Sequence, residues 1–315
     1  MSTTLAELLE QIRTDAAMLN PAPQAWHSYW YHRPNEAFPP PSVRQPQQYD
    51  GGARLNLVCT QTDLPAKEQR QLVQSWCELL PTLDNLRVLW FNSKVNQDMF
   101  EAACSNPHLQ GLYIKWSDIR SLTPIAKLQQ LTHLHIGGAP SAQPLEALHA
   151  LPKLIDLELS NVNAAGNLDF LCGLPQLQSL AVSGDHNSIK RLKIESLAPL
   201  ASLRELRRLE LSCVALLDES LAPIGELPRL QHLLLSNQFE MEELARLSAK
   251  LPEVACDRFL PIGESVNWTH CKKCQQARVV PLTGKRKPWL CLDCDAARIE
   301  KHIRAFQTCR AQASV

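Results

Sequence analysis

The sequence predicts an α/β solenoid: short parallel strands joined by tight helical returns, followed by a small metal-dependent module. Two observations carry this expectation. The pattern L-x-x-L-x-L, with Val, Ile or Phe allowed at the last position, recurs seven times from residue 86 onward. Past residue 255 the pattern stops, and two Cys-x-x-Cys pairs stand sixteen residues apart.

The copies are Leu86-Leu89-Phe91, Leu109-Leu112-Ile114, Leu131-Leu134-Ile136, Leu154-Leu157-Leu159, Leu177-Leu180-Val182, Leu206-Leu209-Leu211 and Leu230-Leu233-Leu235. Their start-to-start spacings are 23, 22, 23, 23, 29 and 24 residues. So regular a period marks units that cannot bury their leucines alone and form one core by stacking. Between strands, Ile119, Leu122, Ile125 and Leu128 recur every third residue, as do Ile194, Leu197, Leu200 and Leu203. A three-residue apolar period suits a 3₁₀ return, where positions i and i+3 eclipse. The 29-residue unit holds an insertion near residues 184–193, expected to project as a loop.

These residues resemble the leucine-rich repeat family in its short class, over roughly residues 55 to 255. The resemblance implies a curved solenoid of about eight strands with a parallel sheet on its concave face, used to bind proteins. The family's Asn after the strand is mostly missing. Lys94, Ser117, Ala139, Val162, Asp185, Val214 and Gln238 take its place, with Asn161 and Asn237 one residue early.

Three segments are expected: an N-terminal helix with an aromatic and Pro-rich cap (1–54), the solenoid (55–255), and a module ending in a helix (256–315). Thr4 to Glu7 is a capping box opening a helix whose apolar stripe is Leu5, Leu8, Leu9 and Ile12. After it come the aromatic run Trp26-His27-Ser28-Tyr29-Trp30-Tyr31-His32 and a Pro/Gln-rich stretch from Pro39.

Cys271, Cys274, Cys291 and Cys294 form C-x₂-C-x₁₆-C-x₂-C, a spacing suited to a structural Zn²⁺ site. Two intervening residues let one tight turn present both thiolates to one ion. Four thiolates close the tetrahedron, so the ion would hold structure rather than activate water. The tail resembles a zinc ribbon or treble-clef-like module. It is poor in large apolar groups, and metal binding would supply folding energy.

Strand alternation sends the residues between the core leucines to the concave face. The partner surface expected there is Trp90, Tyr113, Lys115, Trp116, His133, His135, Asp156 and Glu158. Large aromatics on a solvent face mark protein contacts. The competing expectation is that the aromatic segment 26–32 folds back and buries Trp90 and Tyr113.

Lys plus Arg equals Asp plus Glu at 32 each, and only 11 glycines are present, without a P-loop or dinucleotide fingerprint. No uncharged stretch is apolar enough to span a membrane, so no membrane partner is expected. Residues 1–19 are acidic without a basic start, unlike a secretory signal, and eleven cysteines then point to a reducing, cytoplasmic setting. The chain reads as a non-catalytic interaction scaffold or adaptor. The alternative is a nucleic-acid-associated adaptor using the basic stretch 271–310. A third reading, a ubiquitin-ligase-like enzyme, rests on Cys291-Leu292-Asp293, which resembles the Cys-x-Asp nucleophile of some bacterial repeat proteins. Those catalytic domains are far larger than this tail, and Cys291 serves better as a metal ligand.

Overall fold

The structure, a computed structural model, describes residues 4–19, 28–30, 35–188 and 190–313, with backbone alone for 17–19. Trp26, His27, Tyr31 and His32 of the aromatic run lie outside the described residues.

The strands in chain order are β1 (Ser42–Val43), β2 (Arg54–Leu57), β3 (Val88–Phe91), β4 (Gly111–Ile114), β5 (His133–Gly137), β6 (Asp156–Ser160), β7 (Ser179–Ser183), β8 (Leu192–Ile194), β9 (Arg208–Ser212), β10 (Val214–Leu216), β11 (His232–Leu235), β12 (Val279–Pro281) and β13 (Trp289–Cys291). Nine form one parallel sheet in the order β1-β2-β3-β4-β5-β6-β7-β9-β11. Register is fixed by the repeat: Leu89, Leu112, Leu134, Leu157, Leu180, Leu209 and Leu233 pair across successive strands and are all fully buried. A slip by one residue would turn this whole ladder to solvent.

The returns are 3₁₀ helices, as the three-residue period requires; two of them span Thr123–Lys127 and Ala198–Ser202. Ile119, Leu122, Ile125 and Leu128 are fully buried, as are Ile194, Leu197, Leu200 and Leu203. Where the repeat lacks its Asn, backbone groups satisfy one another between units. Val95 N–H donates to the Trp116 carbonyl and Asp118 N–H to that of Val95. The residue just after the strand turns left-handed in three units, at Gly138, Asn161 and Cys213. The expected loop at 184–193 is corrected at its end. Leu192–Ile194 is β8, and it pairs in parallel with β10 as a second small sheet.

The solenoid is closed at both ends. At the first, α2 (Ala66–Leu79) buries Trp76, whose Nε1 donates to the Arg44 carbonyl at 2.8 Å. Short α3 (Gln97–Cys104) replaces the 3₁₀ return of the next unit. At the far end α4 (Met241–Lys250) packs against α5 (Ala296–Ala313). Phe306 of α5 lies in the solenoid core, whereas Ile299 and Ile303 lie in the core of the C-terminal module. Asn237 joins the two: its side chain donates to the Leu282 carbonyl at 2.9 Å and accepts from Gly284 N–H at 2.7 Å.

Helix α1 (Leu5–Leu19) departs from the expected first segment. Its capping box forms, with Thr4 N–H on the Glu7 carboxylate at 2.7 Å. Leu8 and Ile12 pack on Ile262, Val280, Leu290, Ile299 and Ile303, so the helix covers the C-terminal module and not the first repeats. A 15-residue amphipathic helix fits whichever apolar face is open. The first repeats already have α2, and the module is short of core.

Candidate functional site

Two constellations stand out: the concave face and the cysteine cluster. On the concave face, the cross-strand rows are Val88-Gly111-His133-Asp156-Ser179-Arg208-His232 and Trp90-Tyr113-His135-Glu158-Ala181-Glu210-Leu234.

The expectation that Trp90 and Tyr113 face solvent is overturned. Trp30 packs between them, edge-on to Trp90 with ring centroids 5.9 Å apart and 5.5 Å from Tyr113. Phe38 closes on Trp90 at 4.7 Å, leaving Trp90 and Tyr113 only 1% and 5% exposed. Tyr29 stacks on His133 at 3.6 Å. Gly111 permits this: a Cβ there would meet Val88 Cγ1 at 3.0 Å and Trp30 at 3.3 Å. The apolar rings of β3 and β4 would be a costly exposed patch in a free chain, and the chain's own rings cover them. Lys115 and Trp116 remain exposed at the strand ends.

Beyond the covered half lies a charged network. His135 Nδ1 is 2.9 Å from Glu158 Oε2, and the other carboxylate oxygen of Glu158 is 3.8 Å from Arg208 Nη1. Arg208 Nη2 donates to Glu210 at 2.6 Å, and its Nη1 reaches Ser179 Oγ at 3.4 Å. Burial pushes the Glu158 carboxyl up, but His135, the Ser28 hydroxyl and Arg208 together leave it below the usual carboxylate range. Asp156 has no such set. Burial first, and the Glu158 charge second, push its carboxyl up to about 7, against lesser help from Ser179 and Arg208. Its Oδ1 is buried without a hydrogen-bond partner. A groove of about 600 Å³ opens beside this network, bordered by Ser28, Lys115, Glu158, Ser183, Arg208 and Glu210. Arg208, Glu210 and Ser28 were not in the expected partner set. Arg208 and Glu210 sit in the same two columns as His133 and His135, so the columns held that signal.

The four cysteines converge: Sγ atoms of Cys271, Cys274, Cys291 and Cys294 all lie within 4.8 Å of one another, with Cys274 and Cys291 at 3.7 Å. A Zn–S tetrahedron with arms of about 2.3 Å has edges of about 3.8 Å, so the cluster is the right size. The hairpin β12–β13 brings the pairs together, with Val279 opposite Cys291. The N–H groups of Cys274 and Lys273 lower the Cys271 thiol to about 7, while the hydrogen bond that the Cys294 thiol donates to Cys274 pushes Cys294 up to about 12. Four crowded thiols resist ionising together; a divalent cation is the species that lets them. Among the described residues this is the one group of three or more His, Cys, Asp or Glu side chains whose ligand atoms converge.

At least half of the ten Lys and Arg residues in the basic stretch 271–310 are ion-paired within the protein. Lys273, Arg278, Lys285, Arg298 and Arg304 each hold a carboxylate partner, at 3.0, 2.7, 3.3, 3.6 and 2.7 Å. Trp268 and Trp289 form an exposed pair with centroids 5.2 Å apart. No described helix is long and apolar enough to cross a membrane.

The nine-stranded parallel sheet, its leucine ladder and its 3₁₀ returns make this a leucine-rich repeat solenoid. No protein-family model matches the chain, and no curated protein matches it. Among solved structures, an internalin (inlF) of Listeria monocytogenes aligns with 56% of this chain and 55% of its own length, at 20% identity and a TM-score of 0.45. An internalin C2 of the same organism aligns over 56% and 72%, at 25% identity and 0.43. A leucine-rich repeat protein of Leptospira interrogans aligns over 56% and 50%, at 19% and 0.40. The chain thus spans about half the length of the first of these.

Proposed function

We propose that this chain is a non-catalytic protein-interaction scaffold that receives its partner on the concave face beyond β4, with a structural zinc ion in the four-cysteine module. The observation that supports this reading is the division of the concave sheet. Its first strands are filled by the chain's own Tyr29, Trp30 and Phe38, while the strands beyond line an open polar groove of about 600 Å³. The contact set is therefore Lys115, Trp116, His135, Glu158 and the groove residues Arg208 and Glu210, without Trp90 and Tyr113. His133 and Asp156 support it from the adjoining row. The five strands beyond β4, at about 4.8 Å each, span roughly 19 Å, room for one extended segment of a partner rather than a full standard interface.

Zinc is the reading the donor set supports: four thiolates in a compact cluster suit it, and they leave no open position for catalysis. A cytoplasmic setting accords with eleven cysteines free of disulfides. The test is affinity capture with the intact chain against Ser160→Trp, which fills the groove from a half-buried position on β6. Captured partner should be lost while zinc content and melting temperature stay. Capture retained in the variant moves the interface elsewhere.

A further inference from the structure

The centre of the concave groove is short of positive charge. Asp156, Glu158 and Glu210 bring three carboxylates to strands β6 and β9, which flank β7, and Arg208 bridges Glu158 and Glu210 across it. Lys115 stands just past the end of β4, two strands from Glu158 and four from Glu210 in sheet order, roughly 10 and 19 Å away at the usual strand spacing. His135 occupies Glu158 from one side and Arg208 from the other, yet Glu158 Oε1, on a residue only 6% exposed, accepts no hydrogen bond. Asp156 Oδ1 accepts none either. Buried carboxylate oxygens are normally satisfied, because an unmade bond to a charged group is costly. The groove continues past Glu210 toward Asp257 and Arg258, which pair with each other at 3.2 Å and bring no spare cation.

We infer that the groove is built for a basic side chain, Arg or Lys, presented by an extended segment of a protein partner, with Glu158 and Glu210 as its acceptors. This rests on the concave-face reading above and names the chemistry of the partner. The geometry favours an extended segment. The groove runs across the strands, its floor is small (Ala181, Ser183, Ser212), and about 600 Å³ beside Glu158 holds a long side chain with its backbone. A guanidinium presents two parallel N–H donors to a carboxylate, so Arg, sharing Glu210 and Glu158 with Arg208, fits better than Lys. Such a contact would add a partner to the Glu158 carboxylate, already desolvated in the free chain, and to the half-buried Glu210.

The test pans a phage-displayed random octapeptide library on the intact zinc-loaded chain. Peptides whose binding is abolished by Ser160→Trp are synthesised with each Arg or Lys retained or replaced by Gln. Groove-dependent peptides should be enriched in Arg and Lys, and replacing one basic residue should weaken binding at least about tenfold. Glu158→Gln and, separately, the partly exposed Glu210→Gln should weaken the basic peptide by a similar factor and leave its Gln counterpart unchanged. The Glu210 variant keeps the test sound where the buried Glu158 variant unfolds. Groove-dependent peptides without basic enrichment would overturn this inference and leave the scaffold reading standing. Peptides indifferent to Ser160→Trp, or no binders at all, would count against both.

Discussion

Trp30 stands edge-on to Trp90, with the ring planes at 90° and both rings at most 1% exposed. This contact decides which half of the concave face is open. It also carries a cost, since both indole N–H groups are buried without a partner. Trp30→Ala should lower stability by about 3–5 kcal/mol and expose Trp90 and Tyr113. Trp30→Phe should cost clearly less, because it removes an unsatisfied donor along with some volume. Denaturant midpoints and quenching of Trp fluorescence would check both; equal losses in the two variants would refute the assignment of cost.

The leucine ladder gives a second expectation. Leu157 sits between Leu134 and Leu180 with no exposure. Leu157→Ala should cost roughly 2–5 kcal/mol, since the flanking strands cannot both close on the cavity. Chemical denaturation measures it, and a loss under about 1 kcal/mol would place Leu157 outside a continuous core.

For the module, elemental analysis should find one zinc per chain. Cys274→Ser or prolonged chelation should lower the melting temperature of the whole chain. The reason is structural: α5 shares Ile299 and Ile303 with the module and Phe306 with the solenoid, and Asn237 ties the two together. An independent tail would melt alone, with the solenoid transition unmoved.

Asp156 makes a pH prediction. Its carboxyl, ordinarily near 3.8, is pushed up to about 7, chiefly by burial. The folded chain then holds a proton between about pH 4 and 7 that the unfolded chain releases. This group's contribution to stability is therefore best at low pH and falls as pH rises to about 7, by at most about 1.4 kcal/mol per pH unit. His232 and His302, held below the usual imidazole range by burial, contribute the opposite slope. The comparison is thus between wild type and Asp156→Asn. The variant should gain relative stability from about pH 4 to 7 and level off above, read from urea midpoints; parallel curves would show that Asp156 ionises normally.

The nucleic-acid alternative predicts a salt-sensitive gel shift with the intact chain. With five of the module's cations already ion-paired, we expect none for single-stranded RNA or DNA at physiological salt. A shift abolished by Trp268→Ala would restore that reading through base stacking.

The sequence by itself determined the solenoid and the cysteine cluster. Both depend on local spacing: a leucine period near 23 residues dictates strand, return and register, and two residues between cysteines dictate a shared ligand turn. The column of Arg208 and Glu210 was equally legible, because strand alternation assigns faces without further information. Only the tertiary structure decided where the N-terminal segment goes. Trp30 covers Trp90, and Leu8 and Ile12 pack on a module some 250 residues later in the chain. An amphipathic helix or an aromatic residue states that it will be buried, but not against what. That choice depends on which apolar surface the rest of the chain leaves uncovered, and no local pattern records it.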